Sequence, residues 1–94
     1  MLHVGILQFT LDVRWAQSLK DKRSVVQSIK DRSRKRFNLS IAEIDDLESP
    51  TTATMGAVMA GNDTKYILGA LEKFLTTIRG FRDADLVDSR IEIL

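Results

Sequence analysis

Residues 2–13, LHVGILQFTLDV, are rich in aliphatic side chains, and their parity decides the architecture. In an extended chain Leu2, Val4 and Ile6 point one way, while Leu7, Phe9, Leu11 and Val13 point the other. Both faces therefore look buried, as expected of a central strand covered by helices on one side and by something else on the second. A strand of this kind needs neighbours on both edges, so the rest of the chain has to supply a sheet and its covering helices.

Working outward, Arg14 to Gln17 makes a short connection, and Ser18 offers a side-chain oxygen as N-cap to a helix from Leu19 to about Arg36. No Pro or Gly interrupts that run. Leu19, Val26, Ile29, Ser33 and Phe37 share one stripe of a helix about 27 Å long. Asn38 to Asp45 reads as a second strand, and the polar segment Asp46 to Thr54, with the only Pro, reads as an exposed hairpin loop. Ala53 to Gly61 is a strand of small residues and methionines, suited to close packing against a neighbour.

Asn62 or Asp63 can cap a second helix from Thr64 to about Arg79. Ile67, Ala70, Leu71, Phe74 and Ile78 form its apolar face, and Gly80 ends it. Asp85 to Leu94 alternates, with Val87, Ile91 and Ile93 inward and Asp88, Arg90 and Glu92 outward. The order strand, helix, strand, strand, helix, strand predicts an α+β fold of the ferredoxin-like βαββαβ type. In it a four-stranded antiparallel sheet carries both helices on one face, and residues 1–94 form one domain.

Composition narrows the class. Of 94 residues, 44% are apolar and 29% charged, with no Cys, so disulfides, thiolate metal sites and Cys nucleophiles are excluded. No apolar run approaches the roughly 20 residues of a membrane span, and the N-terminus lacks the pattern of a signal peptide, so a cytoplasmic location is expected. The net charge of +1 conceals a polarised chain, because residues 20–36 hold eight of the fourteen Lys and Arg against two acids. That segment is net +6 and the remainder net −5, a split that points to an anionic partner.

On the first helix, Arg23, Gln27, Lys30 and Arg34 follow spacings of 4, 3 and 4 along one flank of the apolar stripe. Such a ridge can follow RNA phosphates. Lys20 and Lys35 lie further toward solvent, and Arg32 and Arg36 toward the opposite flank. A plainer reading also accounts for part of the charge: Arg34, Lys35 and Arg36 suit the negative end of the helix dipole, and Asp31 can pair with Lys35. Lys22 falls on the apolar stripe itself. Either its stem snorkels past the core or its ammonium faces a ligand beside the helix start.

The remaining constellations are weak. His3 has no neighbouring nucleophile, and Asp45, Asp46 and Glu48 lack the ligand pattern of a calcium loop. Asp12 to Gln17 contains Arg14 but none of the glycines of a phosphate cradle, so no catalytic residue, metal or cofactor is expected. A ferredoxin-like sheet leaves one face without helices. Of the six aromatics only Phe9 lies on a central strand, so that face suits a second copy of the chain better than stacked bases.

Residues 16–23, AQSLKDKR, followed by 36–43, RFNLSIAE, resemble the signature of the YlxP-like family of small bacterial proteins of unassigned activity. Relatives typically begin the helix Ser-Leu-Lys-Glu-Lys-Arg, so Asp21 is a mild variation. They often carry a Trp-Gln-Arg type segment after the second strand, where this chain has Leu47-Glu48-Ser49-Pro50-Thr51. The resemblance implies a ferredoxin-like fold and a genomic setting often shared with translation initiation and ribosome maturation genes. The expectation is a non-enzymatic cytoplasmic protein that meets RNA or the ribosome through Lys20, Arg23, Lys30, Arg34 and Lys35. The alternative is a homo-oligomeric interaction module sharing its open sheet face, with a small anion held near Lys22.

Overall fold

The computed structural model describes residues 1–94. It contains β1 (His3–Asp12), α1 (Leu19–Arg36), β2 (Ser40–Asp45), β3 (Thr52–Gly61), α2 (Thr64–Arg79) and β4 (Asp85–Ile93). The strands form one sheet in the order β2-β3-β1-β4 with every neighbouring pair antiparallel, so the expected ferredoxin-like arrangement is present.

Register explains why β3 is built of small residues. Leu7 stands beside Ala57 and Leu11 beside Ala53, so bulk on β1 meets little bulk on β3 at these two positions, while Phe9 packs beside Met55. All six are buried under the helices, where Val25, Val26 and Ile29 of α1 and Ile67, Leu71, Phe74 and Leu75 of α2 complete the core. Phe74 ties the layers together: its ring meets Phe9 edge-on at 5.8 Å and Phe37 at 5.3 Å. Ser33 is buried within this apolar surface, and its hydroxyl donates to the Lys30 carbonyl at 2.8 Å.

Three local expectations are corrected. The second face of β1 is not covered: Val4 and Ile6 are only half-buried and Gln8 is exposed, because no element lies over that side of the sheet. Leu19 is likewise half-buried, and the α1 stripe is filled by Lys22 and Val25. In β4 the pairing with β1 shifts between Thr10 and Leu11, so Leu86 rather than Val87 stands opposite Leu11, and Val87 is left 56% exposed.

Gly80 ends α2 as expected, with a right-handed φ of −82°, and its N–H and that of Phe81 bond back to Thr77 and Ile78 in a tightened last turn. The left-handed residue after a helix is instead Asn38, with φ 51°, just beyond Phe37.

Two glycines give opposite expectations. A methyl on Gly5 would drive into the fully buried Ile67 and meet Leu71 Cδ1 at 2.9 Å, whereas one on Gly80 meets nothing closer than 3.4 Å. Gly5→Ala should lower stability by about 1–3 kcal/mol in urea denaturation. Gly80→Ala should leave it unchanged or raise it by up to about 1 kcal/mol.

Candidate nucleic-acid interface

The basic helix is fixed first at its N-terminus. Ser18 Oγ accepts from the Asp21 N–H at 3.2 Å, and the Asp21 carboxylate accepts from the Gln17 N–H at 3.0 Å. The Ser18 bond satisfies one of the donors a helix start leaves open, and the Asp21 carboxylate ties the residue before the cap to the first turn. This pair of bonds gives Asp21 a local role in the helix start.

Lys22 supplies the second constraint. Its side chain is 0% exposed, and Nζ donates to the carbonyls of Asp46 at 2.8 Å and Thr52 at 3.0 Å. Glu43 Oε2 lies 2.8 Å away, outside hydrogen-bonding geometry and without another partner, so this contact is an ion pair. The ammonium is thus consumed by strand β2 and by both ends of the β2–β3 loop. Neither sequence-based account of Lys22 describes this: the side chain does not snorkel to water, and it offers no free donor to a ligand.

With the helix held at this end, its remaining cations take defined places. Lys20, Arg23, Arg34 and Lys35 are exposed and Lys30 is half-buried. The chain forms four ion pairs, and Arg34 is the only one of these five residues in any of them, 3.9 Å from Asp31. Asp31 therefore meets Arg34 rather than the expected Lys35, and it also accepts from Gln27 Nε2 at 2.9 Å. Arg23, Lys30 and Arg34 share one flank, within a 40° arc at 100° per residue. Arg32, on the other flank, stacks 4.5 Å over Phe81 beyond the end of α2. The ridge accordingly faces away from α2, on the side of the sheet's β2 edge.

The other candidates are absorbed locally. Arg14 pairs with Asp12 at 3.0 Å and Asp85 at 3.6 Å. Asp46 accepts from Thr54 Oγ1 and Asp45 from the Asp46 N–H, which makes the acidic loop a set of turn contacts. No three His, Cys, Asp or Glu side chains are grouped as a metal site requires. His3 Nδ1 lies 3.3 Å from the Leu94 carbonyl at the sheet end.

On the uncovered sheet face Ile44 lies over Gly56, beside Val58 and Ile6. Arg90 and Glu92 border Gln8 and Ile6 on the same face.

One feature escaped the sequence reading. Between the end of α1 and the first half of α2 lies a groove of about 410 Å³, floored by Phe37, Met59 and Ala70 and bordered by Arg36, Tyr66 and Lys73. Three separate elements form it. The one local signal was Gly69, a glycine inside an otherwise regular helix.

The family profile described as "Protein of unknown function (DUF503)" matches residues 4–91. No curated protein matches the chain. Among solved structures, a de novo designed protein, Foldit4, has a TM-score of 0.54 at 10% identity, covering 100% of this chain and 97% of that one. At that identity the likeness is one of fold alone.

Removing the Lys22 ammonium strands a buried carboxylate and two carbonyls. Lys22→Met should therefore cost about 3–5 kcal/mol in urea denaturation. Replacing Glu43 by Gln in the same chain should recover part of that loss, whereas an additive or worsened double variant would show that the two side chains do not depend on one another.

Proposed function

The chain belongs to the DUF503 family, proteins of unknown function, and we propose that it is a non-enzymatic cytoplasmic protein that contacts structured RNA or the ribosome through α1. The observation that carries this reading is the ridge of Arg23, Lys30 and Arg34, flanked by Lys20 and Lys35, in which four of five cations lack any acidic partner. Only two of the thirteen acids, Asp21 and Asp31, lie on α1, and Asp21 is engaged in the helix cap.

Unpaired cations spaced along a rigid helix match a run of phosphates, and each phosphate contact releases counterions, so affinity has to fall steeply with salt. The resemblance of residues 16–23 and 36–43 to YlxP-like proteins, with their translation-linked genomic setting, adds support by association. No helix is long and apolar enough to cross a membrane.

A second reading rests on the uncovered sheet face. Val58 is 43% exposed and Ile44 49% exposed, and with Ile6 they border one shallow hollow. Apolar surface at the centre of a sheet is suited to a two-fold partner, with β4 supplying a charged border from Arg90 and Glu92. The sheet lies opposite the helices, so a dimer of this kind leaves the ridge free to bind.

Changing Arg23, Lys30 and Arg34 together to Glu should abolish retention of ribosomal RNA at low salt while circular dichroism stays native. The triple Gln variant, which avoids placing acids at the helix C-terminus, should bind weakly and show a shallower salt dependence. Retention that is unchanged by the Glu substitutions would sink the proposal. For the second reading, sedimentation should show a mass that rises with concentration in the wild type and stays monomeric in Val58→Asp; a concentration-independent wild-type monomer would exclude it.

A further inference from the structure

We propose that the groove between α1 and α2 holds one unpaired nucleotide of the bound RNA. Its base would lie against Tyr66 and Gly69, and its phosphates between Arg36 and Lys73. The inference rests on the RNA reading above and assigns a second contact next to the basic helix. About 410 Å³ suffices for a ligand of nucleotide size, and none of the lining residues is acidic. Arg36 and Lys73 stand at its border without an ion pair, so the groove is charge-complementary to an anion.

Two further features select a planar ligand. Tyr66 is the only tyrosine, the residue is 69% exposed, and its ring pairs with no other aromatic ring. Arg36 lies 5.7 Å over the Phe37 ring but, like Lys73, has no acidic partner, and an exposed ring beside such cations is the combination on which single-stranded nucleic acid stacks.

Gly69 is the second feature. Glycine inside a helix disfavours it relative to Ala, and elsewhere in this fold a reason can be found, as at Gly5, where a side chain would collide with the core. At Gly69 there is none: no atom lies within 4 Å of a methyl placed there, and its φ is not positive. What the missing side chain does provide is bare helix backbone beside Tyr66, open to close approach from outside the chain. Asn38, also lining the groove, presents an amide that can both donate to and accept from a base edge.

The groove lies on the flank of α1 opposite the ridge, and the last turn of the helix links the two. Arg34, Lys35 and Arg36 are successive residues 100° apart, so their cations fan around the last turn from the ridge flank to the α2 flank. A strand leaving a duplex held on Arg23, Lys30 and Arg34 passes from one to the other without leaving positive charge.

The test uses the full chain and two RNA hairpins of identical stem, one blunt and one with a five-nucleotide single-stranded tail, compared by filter binding at low salt. The wild type should hold the tailed hairpin about tenfold tighter, and Tyr66→Ala should erase that preference while leaving the blunt hairpin's affinity in place. Gly69→Ala should reduce the preference while raising the melting temperature, a pairing that damage to the fold cannot produce.

Equal affinity for both hairpins in the wild type, or equal weakening of both by Tyr66→Ala, would overturn the inference and leave the helix reading standing. Retention of neither hairpin would overturn both. A free nucleoside monophosphate that shifts the Gly69 amide resonance without any tail preference would assign the groove to a small ligand, and so would overturn the RNA assignment.

Discussion

The buried ammonium of Lys22 is the contact on which the placement of α1 depends. That helix has a narrow apolar face, with Val25, Val26 and Ile29 as its buried hydrophobic residues, so hydrophobic burial alone leaves its rotation loosely determined. Lys22 adds direction. Its hydrogen bonds to the carbonyls of Asp46 and Thr52 and its ion pair with Glu43 join the first turns of α1 to β2 and to both ends of the loop that follows. Taking both charges out of water costs several kcal/mol, which their attraction and the two carbonyl bonds offset. What results is specificity of orientation. Turning α1 about its axis would strand these groups, so the outer flank that carries Arg23, Lys30 and Arg34 is held at a fixed angle to the sheet.

The sheet obeys a complementary constraint. Both helices lie on one face, which receives Leu7, Phe9 and Leu11 from β1 against Ala57, Met55 and Ala53 from β3. Because the helices cover only that face, the other retains whatever apolar surface the central strands carry. Chemistry is therefore divided between two sides of a thin molecule: cations on the helical layer, and an apolar hollow with a charged border on the bare sheet. Contacts on one side need not exclude contacts on the other.

Local signals in the sequence were read correctly where the interactions themselves are local. Ser18 as a cap, the extent of both helices and the order of the strands all follow from neighbours within a few positions. The failures share a cause of the opposite kind. Lys22 bonds to carbonyls 24 and 30 residues away, and a carbonyl has no side-chain signature. The exposure of Val87 follows from a shift in pairing with another strand, which strict alternation along β4 does not encode. Gly80 ends α2 as its position suggested, whereas the second strand starts at Ser40 rather than Asn38, because Asn38 takes a left-handed turn after α1. The groove draws on α1, β3 and α2 at once, so only Gly69 hinted at it.

Helix electrostatics separates the cations that need a partner from those that do not. Arg34, Lys35 and Arg36 occupy the last turn, where positive charge favours the exposed carbonyls, so their presence follows from the helix itself. At the other end the same field opposes positive charge, yet Lys20, Lys22 and Arg23 all lie near the helix start and Asp21 is the only acid in the first turn. Lys22 is accounted for by its buried partners. Lys20 and Arg23 are exposed and unpaired, and Lys20 also lies in the first turn against the dipole, so neither capping, packing nor pairing within the chain explains them. Of these two, Arg23 also lies on the ridge. It is therefore the residue whose charge most directly separates a surface shaped for an anionic partner from one that merely keeps the protein in solution.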